Sequence, residues 1–306
     1  MPKVLIATEK PFAAEAAAKI KAELEKAKYD YSFLESYTDL NDLYSAVADV
    51  DALIIRSDKV TEEVLSHAKQ LKIVVRAGAG YDNVDLKAAT AHNVVVMNTP
   101  GQNSNAVAEL AIGMMIYMAR GKFNGKSGSE IANKKLALYG YGHIARLTAR
   151  MAQGIGMEVA AYDPYIASEV MKNDGVQPLS KVADIFKNSD YVSLHIPATA
   201  ETKKSINWDL LSLLPEKATL VNTARKEVID EDALLKAFAE KKGFKYVSDV
   251  APDNLAVINE QYADRIYCTP KKMGAQTAEA NVNAGIAAAR QIVAFLDQGD
   301  TTFKVN

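Results

Sequence analysis

The sequence predicts an α/β protein built from two doubly wound parallel-sheet domains with a cleft between them. Three observations predict this. Short apolar runs of strand length alternate with helix-length segments along the chain, the pattern of parallel strands covered by helices on both faces. A length of 306 residues fits about two domains with ample core. The stretch LALYGYGHIARLTARMAQGIGMEVAAYD, residues 136–163, spells a complete strand–turn–helix–strand unit.

Taken in order, residues 4–7 read as a first strand, and the Ala-rich run 11–26 reads as an amphipathic helix. Apolar runs return at 52–55, 73–75 and 94–97, separated by helix-like segments at 61–69 and 85–91. Ligands on such sheets bind beyond the carboxyl ends of the strands. The residues just past those ends therefore matter most: Arg56 and Ser57, then Gly78-Ala79-Gly80, then Asn98-Thr99-Pro100. Residues 103–120 predict a long helix whose heavy apolar load is core, with a Met-rich face that offers a subunit contact. The Gly-, Ser- and Lys-rich segment 121–133 is a connection.

After the 136–163 unit come strands at 191–195, 219–222, 246–248 and 266–268, and a helix at 230–240 behind a cap at Asp230. The last helix, 279–296, is long enough to cross to another domain. The expected division is residues 1–98 with 282–306 in one domain and 99–281 in the other, and the cleft is the natural ligand site.

Each part of the central unit has a physical task. Gly140, Gly142 and Ala145 form a G-x-G-x-x-A turn. Gly140 allows the tight turn, Gly142 lets the main chain approach a pyrophosphate, and Ala145 lets the helix pack on the sheet. The free N–H groups of the helix N-terminus, beginning at His143 and Ile144, face the phosphate charge. Asp163 closes the second strand and accepts hydrogen bonds from the adenosine ribose. No Arg or Lys follows it closely, which selects NAD over NADP.

Composition excludes other classes. With 49% hydrophobic residues, 24% charged residues and a formal net charge of -2, the chain has no global field for nucleic acid or a membrane surface. The N-terminus lacks a signal peptide pattern, and no run of about 18 apolar residues predicts a membrane span. Cys268 is the single cysteine, which excludes an internal disulfide, suits a reducing, cytoplasmic setting and reads as a small buried hydrophobe. No metal site is expected.

Several spaced segments carry a resemblance: VVRAGAGYDNVD (74–85), VAEL (107–110), GYGHIARLTARMAQGIGMEVAAYDP (140–164), SDYVSLHIPATAETKKSIN (189–207), ATLVNTARKEVIDEDAL (218–234) and CTPKKMGAQTAEA (268–280). Together they resemble the D-isomer-specific 2-hydroxyacid dehydrogenases, most closely the branch that oxidises 3-phospho-D-glycerate. The resemblance implies a flavodoxin-like substrate domain, a Rossmann NAD domain, hydride transfer between C2 of a 2-hydroxy acid and NAD, and a homodimer. It implies that Arg225 holds the substrate carboxylate and polarises the carbonyl, a task suited to a guanidinium fork. It places the substrate on Arg56, Ser57, Ala77, Gly78, Ala79, Gly80 and Asn103. It places NAD on Gly140, Gly142, His143, Ile144, Asp163 and Pro164, and further on His195, Pro197, Thr223, Ala224, Asp249 and Gly274. Lys59 also falls near the phosphate, with Asp58 beside it as an opposing charge. No C-terminal regulatory domain is expected after residue 306.

The chain departs from the family where the acid/base His and its orienting Glu are expected. Asn254 stands in place of the Glu, and Thr269-Pro270-Lys271-Lys272 stands in place of T-P-H. One reading is that Lys271, or Lys272 beside it, acts as acid/base. An ammonium has no tautomer for a carboxylate to fix, but it must lose about 3 units from its ordinary value of about 10.4. Burial and neighbouring cations would lower it. The other reading is an NAD-binding interaction module without catalysis. Within the enzyme class, the rival is a glyoxylate, hydroxypyruvate or D-lactate type reductase. His195 remains a minor candidate for the base, and Lys226-Glu227 replaces the small residues usual after the Arg.

Overall fold

A computed structural model describes residues 1–306. The chain forms two compact units, residues 1–103 with 275–306, and residues 104–274. Both are parallel sheets wrapped in helices.

The first unit contains β1 (Lys3–Thr8), β2 (Asp30–Glu35), β3 (Ala52–Ile55), β4 (Ile73–Arg76) and β5 (Val95–Asn98). They pair in the order β2-β1-β3-β4-β5, all parallel, which is the flavodoxin-like order. Alternate residues feed opposite faces. Leu5, Leu53, Val74 and Val96 enter one core, while Ile6, Ile54, Ile73 and Val75 enter the other. Burial on both faces explains why these strands are unbroken apolar runs. β2 is the exception and has no such run, because as an edge strand it is half exposed and reads DYSFLE.

The helix Ala278–Gln298 belongs to this unit. Thr277 caps its start, accepting from the Ala280 N–H, and Gly299 ends it at φ +71°. Its small residues allow a close approach to the helix Ala14–Lys26: a Cβ on Gly285 would lie 2.8 Å from Ile20 Cδ1. Tyr29 Oη donates to Asp297 at 2.6 Å and Arg290 pairs with Glu23, fastening the helix at points far apart in sequence.

The second unit contains β6 (Lys135–Tyr139), β7 (Glu158–Tyr162), β8 (Gln177–Pro178), β9 (Tyr191–Leu194), β10 (Thr219–Asn222), β11 (Lys245–Ser248) and β12 (Ile266–Cys268). The order is β12-β11-β10-β9-β6-β7-β8, all parallel. This is the Rossmann order with one added edge strand, and its direction reverses between β6 and β9. The helix Ser104–Ala119 covers one face of this unit's sheet. Met114, Met115 and Met118 on it are 2% exposed or less. The Met-rich face is therefore core, which corrects its sequence-based reading as a subunit contact. No helix is long and apolar enough to cross a membrane.

Candidate active site

The dinucleotide turn lies where the second sheet reverses direction. Gly140 follows β6 with φ +90°, and a Cβ there would meet the His195 carbonyl oxygen, just past β9, at 2.9 Å. Gly142 differs, because a Cβ on it would meet nothing within 4 Å. It is the N-cap of the helix His143–Gly154 and provides no side-chain cap, so the first N–H groups of that helix face open space. Asp163 accepts from Tyr141 N at 2.7 Å and Tyr165 N at 2.8 Å, one bond to each oxygen. Each oxygen keeps a lone pair for a ribose hydroxyl. Tyr141, fully buried, anchors the turn by donating its hydroxyl to Asp174, which also binds Arg146. Burial and Asp174 push the Tyr141 hydroxyl up, while Arg146 holds the Asp174 carboxyl below its usual range.

These features separate the two glycines experimentally. Gly140→Val is expected to lower unfolding free energy by about 2 kcal/mol or more, through strain at positive φ and a clash with backbone. Gly142→Val should leave stability within about 0.5 kcal/mol while weakening NADH binding at least tenfold. Denaturant unfolding and NADH fluorescence titration check both. Equal stability losses would show that Gly142 is also structural.

Beyond β10, the segment Thr223-Ala224-Arg225 is held by Asn222, whose side chain is fully buried. Asn222 Oδ1 accepts from Ala224 N at 3.0 Å, and its Nδ2 donates to the Arg225 carbonyl at 2.9 Å. Arg225 is half-buried, in extended backbone, with Nη1 donating to Ala224 O at 3.0 Å. Thr223 Oγ1 is buried with no hydrogen-bond partner. Pro164, Pro197 and His143 are exposed, and Ile144 is half-buried at the helix start.

His195 lies beside this turn. Its Nε2 is 3.0 Å from Ser193 Oγ, and burial pushes the imidazole down to about 4. It is therefore neutral at pH 7, a poor base with its ring nitrogen already engaged. Burial likewise pushes the Cys268 thiol up to about 12, so it is no nucleophile at neutral pH.

The segments after β11 and β12 are joined through Asp249, which is 2% exposed. Its Oδ1 accepts from Thr269 Oγ1 at 2.9 Å and Met273 N at 2.8 Å, and its Oδ2 accepts from Gly274 N at 2.8 Å. Both oxygens serve the protein, whereas the resemblance gave this carboxylate to NAD. Lys271 and Lys272 are exposed on the arch between these bonds. Asn254 is braced by Glu231: the Glu231 carboxylate accepts from Asp253 N and Asn254 N, and Asn254 Nδ2 donates to Glu231 O at 3.0 Å. That fixes the carboxamide and leaves its buried Oδ1 without a partner. Lys226 pairs with Asp253, which accounts for one of the two unusual residues after the Arg.

In the first unit, sheet direction reverses between β1 and β3, and Arg56 sits at that point. Its Nη1 donates to Lys10 O and Pro11 O, both at 3.2 Å, and its Nη2 donates to Asn281 Oδ1 at 2.6 Å. The guanidinium also covers the Phe12 ring. Arg56 thus braces the loop after β1, a task that sequence reasoning did not assign to it. Ser57 and Lys59 are exposed. Asp58 is buried and accepts from Glu9 N, Tyr37 Oη and Arg56 N.

The loop after β4 is built for close approach. Gly78 has φ +151°, and a Cβ on it would collide with Arg76 Nη1, so the guanidinium lies against the main chain. Arg76 Nε donates to Arg56 O at 2.9 Å. The Gly78 N–H is taken by Arg76 O, whereas the Ala79 and Gly80 N–H groups make no backbone hydrogen bond. Asn98 Nδ2 donates to Ala79 O at 2.6 Å, and Thr99 N donates to Gly78 O at 3.0 Å. Ala77 is buried, its N–H donating to Ile55 O. Thr99 Oγ1 and Asn103 Oδ1 are buried without partners. Sequence reasoning missed Arg76, although it stands inside the quoted VVRAGAG, and missed the bracing roles of Asn98, Asn222 and Glu231.

The second unit's residues fit a dinucleotide: open space at Gly142, an uncapped helix start, a fixed Asp163 carboxylate and the orphaned Thr223 hydroxyl. Comparisons with known proteins agree. Residues 106–270 match the model of the D-isomer specific 2-hydroxyacid dehydrogenase, NAD binding domain. D-3-phosphoglycerate dehydrogenase of Methanocaldococcus jannaschii is 35% identical over 82% of this chain and 51% of its own length. The chain thus spans about half the length of several curated relatives it matches. Hydroxypyruvate reductase of Thermotoga maritima is 34% identical over 87% of this chain and 91% of its own. Among solved structures, the NAD+-bound 3-phosphoglycerate dehydrogenase of Entamoeba histolytica has a TM-score of 0.89 and 42% identity, covering 100% of this chain and 98% of that one.

Proposed function

Because the chain belongs to the D-isomer specific 2-hydroxyacid dehydrogenase family, we propose that it oxidises 3-phospho-D-glycerate to 3-phosphohydroxypyruvate with NAD, in the formation of serine. The observation that carries the reading is Arg225, a half-buried guanidinium set just past a strand end by the buried Asn222. Arg225 binds the substrate carboxylate and polarises the C2 oxygen. Lys271, with Lys272 as the alternative, takes the hydroxyl proton. NAD supplies the acceptor for the hydride that leaves C2. Asp163 holds the adenosine ribose, and the orphaned Thr223 hydroxyl is a donor for the same cofactor.

Recognition of a substrate phosphate rests on Arg76, with its guanidinium over Gly78, and on Arg56 and Ser57 at the sheet's reversal point. One observation favours a second reading, a hydroxypyruvate reductase: Arg56 already donates to three protein acceptors. The single cysteine and the lack of a membrane-length apolar helix support a cytoplasmic enzyme. A homodimer follows the family resemblance.

The test is the ratio of kcat/KM for 3-phosphohydroxypyruvate to that for hydroxypyruvate, in NADH-dependent reduction. The phosphate adds charge-assisted bonds worth about 3 kcal/mol in all, so the ratio should be about 100 or more. A ratio near one or below selects the second reading. No turnover with either, or with glyoxylate and pyruvate, leaves only an NAD-binding module.

A further inference from the structure

We propose that Asp249 is a positioning residue for the acid/base lysine, setting the conformation of the loop that carries Lys271 and Lys272. The inference rests on the dehydrogenase reading above and assigns Asp249 a role other than contact with NAD. Its carboxylate is buried at the end of β11, and its three side-chain bonds bracket the lysines. Thr269 donates from before them, and Met273 and Gly274 donate from after them. Thr269 is itself placed by its N–H, which donates to Ser248 O at 3.0 Å and extends the pairing of β11 with β12. At the other end the main chain comes so close that a Cβ on Gly274 would lie 3.0 Å from Asp249 Oδ2 and 3.3 Å from Val107 Cγ2.

Between these anchors, residues 270–273 have no helix or strand of their own. Pro270 lacks an N–H, and the two lysine side chains are exposed. The buried Asp249 carboxylate thus fixes the arch at both of its ends. Such precision matters in catalysis, since a displacement of about 1 Å costs on the order of 100-fold.

Asp249→Asn tests this closely. The amide oxygen still accepts from Thr269 and Met273, but the amide NH2 faces the Gly274 N–H, donor against donor. Thr269→Val removes one bond without changing charge, and Thr269→Ser restores it. Two properties are measured on the full chain: amide exchange of Met273 and Gly274 without substrate, and kcat with its pH profile beside the NADH dissociation constant.

In Asp249→Asn, loop exchange should accelerate at least about tenfold. kcat should fall by about 30-fold or more with a displaced pH profile, while NADH affinity stays within about threefold. Thr269→Val should lose about three- to tenfold in kcat, and Thr269→Ser should match wild type. The threonine pair carries the test if Asp249→Asn does not fold.

Unchanged loop exchange overturns the proposal. So does weaker NADH binding with kcat retained, which would make Asp249 a cofactor ligand. A wild type inert on every 2-oxo acid overturns the dehydrogenase reading and this role with it. That outcome is distinguishable from a failed clamp because exchange is read without substrate.

Discussion

Arg225→Ala is expected to lower kcat/KM for the 2-hydroxy acid by about a thousandfold, the scale of removing one preorganised donor to a developing charge. Arg225→Lys should lose nearly as much, since a lysine keeps the charge but not the planar fork that matches a carboxylate. The structure explains why the loss should fall on chemistry rather than on folding. Asn222 holds both Ala224 N and Arg225 O, so the backbone there is fixed independently of the Arg225 side chain. Steady-state kinetics should therefore show the loss while NADH affinity and the unfolding midpoint stay near wild type. Retention of activity within tenfold would mean that another cation, with Arg76 the first to test, holds the carboxylate.

Lys271→Ala or Lys272→Ala should lower kcat by about 100-fold or more, the scale of a positioned general base. One of the two substitutions, not both, should do so. The argument is one of elimination. His195 is pushed down to about 4 and is occupied by Ser193, and Asn254 offers a carboxamide rather than a carboxylate. Both lysines are exposed. The rising limb of the kcat/KM profile with pH should disappear in the affected variant. Replacement by Arg should not restore it, because a guanidinium does not deprotonate in proteins. If both variants keep activity within tenfold, the lysine mechanism fails.

The sequence by itself determined the two parallel sheets, their strands and the dinucleotide turn. These are local: Leu136–Tyr139 and Ala52–Ile55 are apolar because they are buried on both faces, and that requirement is written in consecutive residues. β2 and β8 escaped because an edge strand needs no such run. The candidate ligand residues were also legible as positions, since the chemistry of Arg225, Asp163 and the glycines is visible one residue at a time.

Tertiary structure decided which of these side chains are already occupied. Arg56 reads as a phosphate ligand with no other task until Lys10, Pro11 and Asn281 are seen to accept from it. Asp58 reads only as a charge until Glu9, Tyr37 and Arg56 are seen to donate to it. The Met-rich helix face reads as core or as a subunit contact, and it is found in the core. Asp249, Asn222 and Glu231 gain their roles from groups on neighbouring strand ends and loops. A hydrogen bond depends on two groups meeting at about 3 Å, and sequence spacing does not state which distant donors and acceptors the fold brings to that distance.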